Sequence, residues 1–80
     1  MNNNPIITQA VTLAQQHAQG RIWQKGDIAC HPKEPITCEI REFDGNGLVT
    51  IGWEEIEWTV PLDEIFDPNK AQTIALNLSR

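Results

Sequence analysis

Apolar and polar residues alternate with a period of two through the middle of this chain. Four runs carry the pattern: 27–30, 36–43, 48–53 and 56–60. Such alternation is the signature of half-buried strands. Between the first two runs stands His31-Pro32-Lys33-Glu34-Pro35, whose prolines cannot donate to a ladder. Asp44-Gly45-Asn46-Gly47 follows the second run and is rich in residues that tolerate positive φ. Glu54-Glu55 follows the third, and its poor turn chemistry points to a bulge or a looser turn. Folding these runs into hairpins predicts Cys30 opposite Cys38, Phe43 opposite Leu48 and Trp53 opposite Ile56. In that register Ile28, Cys30, Cys38, Ile40, Val49, Ile51, Trp53, Ile56, Trp58 and Val60 share one face. A slip of one residue in any hairpin breaks the agreement.

The period changes outside this region. Ile7, Ala10, Val11, Ala14 and Ala18 recur at helical spacing, widened by Ile6 and Leu13. Asn4 suits an N-cap, Pro5 the first helical position and Gly20 the residue past the end. The spacing therefore predicts a helix over 5–18, too short to persist unless it docks, and one end of the β-domain is its expected seat. After the last strand, Leu62-Asp63-Glu64-Ile65-Phe66 reads as one helical or 3₁₀ turn that tucks apolar side chains under the sheet. In the tail, 71–80, Ile74, Leu76 and Leu78 fall at period two, which predicts a short fifth strand.

Three segments carry a resemblance: Lys25-Gly26-Asp27-Ile28-Ala29, Phe43-Asp44-Gly45-Asn46-Gly47-Leu48-Val49, and Trp58-Thr59-Val60-Pro61-Leu62-Asp63-Glu64-Ile65. In this order they resemble the SH3-like small barrels, nearest in style to the Tudor and KOW branches. The resemblance implies a mainly β fold: a small barrel of about five strands with an N-terminal helix and a one-turn helix before the last strand. It also implies a binding module rather than a particular ligand, since such barrels host unrelated functions.

With 80 residues the chain makes one domain, 1–80, with the barrel expected over 25–78. Two cysteines are too few for a secreted disulfide framework, and no signal-peptide core or membrane-spanning run is visible. A cytoplasmic location without membrane association is expected. The net charge of −5 is uneven, because residues 42–69 hold Glu42, Asp44, Glu54, Glu55, Glu57, Asp63, Glu64 and Asp67 without one Lys or Arg. Nucleic-acid affinity rests largely on Lys and Arg neutralising phosphates, so direct DNA or RNA binding is disfavoured and basic protein partners are favoured. The expected state is a monomer or weak homo-oligomer.

Catalysis finds little support. His17 and His31 are the only histidines, Ser79 lies in the tail, and there is no Gly-rich phosphate loop. Cys-His-x₆-Cys matches no common zinc spacing, and opposed strand cysteines make a strained bridge. Cys30 and Cys38 are therefore expected as buried thiols, with no metal and no cofactor. Two surface features remain. Phe43 and Leu48 face away from the predicted core and, with Trp23 or Phe66, form a candidate apolar patch; the competing placement packs Phe43 and Leu48 under the N-terminal helix. Glu54, Glu55 and Glu57 form an acidic hairpin suited to a basic segment. The expectation is a non-enzymatic protein-interaction or accessory-subunit module that binds a basic or extended segment through Trp23, Phe43, Leu48, Glu54, Glu55 and Glu57. The alternative is a small inhibitor or nucleic-acid mimic that blocks a basic groove.

Overall fold

The structure, a computed structural model, describes residues 5–80, apart from the side chains of 34 and 35. Helix α1 spans Pro5–Ala18, as its spacing predicts, while the cap residue Asn4 lies outside the described residues. Strands β1 (Ile28–His31), β2 (Glu34–Phe43), β3 (Leu48–Trp53) and β4 (Ile56–Pro61) follow, then a 3₁₀ turn at Leu62–Glu64 and helix α2 (Pro68–Leu78). The strands form an antiparallel meander in the order β1-β2-β3-β4. The sheet has four strands rather than five and is not closed into a barrel. The expected fifth strand over 71–80 is helical instead. Asp67 caps it, its Oδ1 accepting from the Asn69 N–H at 2.9 Å, and Pro68 occupies the first turn. Ala71, Ile74 and Ala75 then form a half-buried helical stripe that outweighs the period-two reading of Ile74, Leu76 and Leu78.

Helix α2 packs chiefly on α1, where Ala10 and Ala14 are almost fully buried; small side chains one turn apart let the two helices approach closely. Ala18 at the end of α1 joins the sheet core with Trp23, Ala29, Cys38, Ile40, Val49, Ile51, Val60 and Ile65. Arg21 ties the two layers together. Its Nη1 lies 3.1 Å from Asp67 Oδ2, its Nη2 3.5 Å from Asp27 Oδ2, and its guanidinium sits 3.9 Å from the Trp23 ring centroid.

Register separates what patterning predicts from what forms. Between β3 and β4 the prediction holds throughout, with Trp53↔Ile56, Ile51↔Trp58 and Val49↔Val60. Between β1 and β2 it is off by one, because Cys38 faces Ala29 and Ile28 faces Glu39. The chain turns tightly after His31, which pairs with Glu34, and an irregularity then takes up the excess residues around Pro35. Ala29 and His31 consequently point inward, while Ile28 is half-exposed and Cys30 only partly buried. In β2 the register shifts between Ile40↔Ile51 and Glu42↔Thr50, leaving Arg41 as the extra residue of a bulge. Past the bulge Phe43 pairs with Val49, not Leu48, and packs against the core. The bulge has exchanged its face.

Gly52 lies under Arg41. A Cβ built there would stand 2.6 Å from the Ile56 carbonyl oxygen and 2.9 Å from Arg41 Cζ. The Arg41 side chain runs across this gap to reach Glu57 Oε2 from Nη1 at 3.0 Å and Glu39 Oε2 from Nε at 3.4 Å. Gly52→Ala is expected to destabilise the fold by about 1–3 kcal/mol, the usual cost of forcing atoms into a filled space. A urea unfolding curve checks this; an unchanged midpoint would show that β4 yields freely.

Candidate functional site

The residues singled out in the sequence do not assemble into one surface. Trp23 is only 9% exposed and belongs to the core, packed beneath Arg21. Phe43 is partly buried against the same core, through the Arg41 bulge. Leu48 stays 40% exposed, but at the end of β3 opposite to the acidic hairpin. The 6 residues of β3 separate them by roughly 17–20 Å at about 3.3 Å per residue.

At the other end of β3, apolar and acidic residues do converge. Trp53 and Ile56 were expected inside, and their parity is inward, yet they project past the end of the core and are 46% and 47% exposed. They bracket Glu54 and Glu55 at the hairpin tip. Ile28, displaced outward by the β1 register, lines a shallow depression of about 290 Å³ with Trp53, Glu54, Glu39 and Arg41. Trp53, Ile56 and Ile28 are thus the surface residues that face assignment by alternation missed. A short strand does not reach the core along its whole length, and hairpin-tip positions are the first to overhang it.

The three glutamates of the hairpin are not equivalent. Glu57 is held by Arg41. Glu54 and Glu55 make no ion pair with any described residue. Glu54 also carries a φ of 56°, the left-handed region that a two-residue hairpin turn demands at its first position and that glycine fills at less cost. The poor turn chemistry read from Glu54-Glu55 is resolved by strain rather than by a bulge.

A second polar cluster sits where β1 meets the 3₁₀ turn. His31 is 5% exposed, with Nε2 2.7 Å from Glu64 Oε1, while Nδ1 accepts the backbone N–H of Lys33 at 3.1 Å. The neutral tautomer with its proton on Nε2 satisfies both contacts. This pairing fastens the 3₁₀ turn over the sheet, helped by Gln15 of α1, which donates to the Glu64 carbonyl at 2.7 Å. Burial pushes the Cys30 thiol up from its ordinary range, with the Asp67 charge adding to it, while its hydrogen bonds with the Thr37 side chain and the Cys38 backbone oppose the shift. Such a thiol is a poor nucleophile at neutral pH. Among the described residues no cluster of His, Cys, Asp or Glu is placed to hold a metal ion, and no helix is long and apolar enough to cross a membrane.

The site is thus a hairpin tip on an open four-stranded meander flanked by two helices. Comparison with protein-family models, with curated proteins and with solved structures finds no significant match to the chain.

Glu54→Gly is expected to stabilise the protein by roughly 0.5–1 kcal/mol. Release of about 1–2 kcal/mol of left-handed strain exceeds the added entropy of an unfolded glycine. A higher melting temperature checks this, and a lower one would show that the Glu54 side chain supports the fold.

Proposed function

We propose that this chain is a non-catalytic interaction or accessory module that engages a basic, extended protein segment through the Trp53–Glu57 hairpin. One observation carries the reading. Two half-exposed apolar side chains, Trp53 and Ile56, bracket two carboxylates with no cationic partner among the described residues, on a turn that keeps Glu where Gly costs less. Strain retained at an exposed position is a pointer to use. An aromatic anchor beside unpaired charge supplies what a binding hot spot needs, apolar area for affinity and a field for on-rate and choice of partner. Trp23 is replaced in this role by Trp53, and Phe43 and Leu48 by Ile56 and Ile28. Glu54 and Glu55 keep their role, and Glu57 serves as their braced neighbour.

The fold is read in the same proposal as a reduced SH3-like one. After the 3₁₀ turn the chain returns to the free edge of β1, where Cys30 and Phe66 exchange backbone hydrogen bonds of 2.9 and 3.0 Å. That is one residue pair of the strand that would close such a barrel.

The test is capture of partners from the native host by the wild-type chain and two variants. Glu54→Lys/Glu55→Lys and Trp53→Ala are each expected to lower recovery of a basic partner at least tenfold, with circular dichroism unchanged. Recovery equal to wild type with both variants sinks the proposal. A partner displaced by added DNA would favour the inhibitor or nucleic-acid-mimic alternative, in which the acids occupy a basic groove.

A further inference from the structure

We propose that the basic segment binds as an added strand on the free edge of β4, an inference that rests on the reading above of a basic, extended partner. The hydrogen-bond phase of the β3–β4 ladder decides which groups are on offer. Trp53 and Ile56 flank a two-residue turn, so they form a hydrogen-bonded pair, and Ile51–Trp58 and Val49–Val60 follow in the same phase. One step further, Leu62 donates to the Gly47 carbonyl at 2.8 Å, in keeping with that phase. Thr50 and Thr59 then belong to the intervening class in which side chains approach most closely, and their hydroxyls lie 3.2 Å apart. It follows that Glu57 and Thr59 aim their N–H and C=O groups away from β3. Neither residue has a backbone partner on that side among the described residues.

The two edges of the sheet are managed differently. β1 is irregular, is clipped by Phe66 at Cys30 and has α2 beside it. β4 pairs with β3 without a bulge along its whole length, and Pro61 at its end is the only residue lacking a donor. Exposed edges are normally blunted, and this one is blunted only by Pro61 at its end and by the Glu57 charge. Beside it runs a groove of about 310 Å³ lined by Trp58, Val60 and Pro61 of β4 and by His31 and Glu64 across from them. An added strand would send alternate side chains into that groove and the others to the side of Glu57 and Thr59.

Charge selects the occupant. Lys33 is the one Lys or Arg among the groove residues, against Glu64 there, Asp63 beyond one end of β4, and Glu54 and Glu55 beyond the other. A segment that alternates apolar residues with Lys or Arg fits both the apolar wall and the acidic ends. A second copy fits less well, since each chain carries −5 and antiparallel pairing of the two edges would set the hairpin glutamates of one copy beside Asp63 of the other.

The test uses ¹⁵N-labelled full chain and an acetylated, amidated hexapeptide of alternating Lys and Val. Peptide is expected to slow amide exchange at Glu57 and Thr59 at least tenfold. N-methylation of the peptide residues whose N–H groups face β4 is expected to remove that protection. Shifts confined to Trp53, Glu54 and Glu55, with exchange at Glu57 and Thr59 unchanged, would overturn strand addition and leave the hairpin reading standing. No shift anywhere would overturn both. Protection of Glu57 and Thr59 without peptide, growing with protein concentration alongside a dimer in sedimentation, would assign the edge to a second copy and overturn the inference.

Discussion

The passage of the Arg41 side chain over Gly52 is the constraint on which the rest of this small fold turns. It requires three things at once: an extra residue in β2, a residue without Cβ in β3, and a carboxylate on β4. Each has a separate consequence. The bulge brings Phe43 to the core side, where it covers Val49. The missing Cβ lets three strands approach around one guanidinium. The Glu57 carboxylate shares Arg41 with Glu39, so the hairpin acids without a cationic partner among the described residues are Glu54 and Glu55. Exposed ion pairs of this kind are worth well under about 1 kcal/mol each. Their value here lies in fixing where the β4 backbone runs.

Around that clamp the molecule divides into a sheet core and a helix pair, and only a few polar contacts join the two. Arg21 bridges the linker before β1 to the cap of α2, and Gln15 reaches the 3₁₀ turn that His31 and Glu64 hold down. Buried polar groups in such a core are tolerable because each has a partner; among the described residues no buried side-chain nitrogen or oxygen lacks one. The ends of the sheet receive unequal support. The Gly47 end is roofed by Trp23 and Leu62, whereas the Glu54-Glu55 end overhangs the core.

Much of this was legible in the sequence, and the losses have distinct physical causes. α1, the four strands, the 3₁₀ turn and the whole β3–β4 register follow from periodicity and turn chemistry. α2 is hidden because three apolar residues at period two compete with the signal of Asp67-Pro68, a cap and first-turn pair that is a strong helix start. The β1 register and the β2 bulge were missed because alternation assigns faces only while no residue is inserted. Both irregularities insert residues, and neither carries a sequence mark beyond Pro35 and the small Gly52 opposite. The acidic half of the candidate site was readable as composition. Its apolar half was not, since parity says which face a side chain takes and nothing of whether the core extends beneath it.

The pairing of α1 with α2 sets an order on the chain's assembly. Every strand partners its neighbour in sequence across a short turn, so each hairpin closes a loop of only a few residues. The helix pair joins Pro5–Ala18 to Pro68–Leu78 and must close a loop of some fifty residues. Loop-closure entropy rises as about (3/2)RT ln n, so this contact is the costliest to form and gains least from local structure. The helices are thus a latch drawn across a meander whose registers are already set. Amide exchange should find the latch opening before β3 does, with the edge of β4 unchanged in register while it is open.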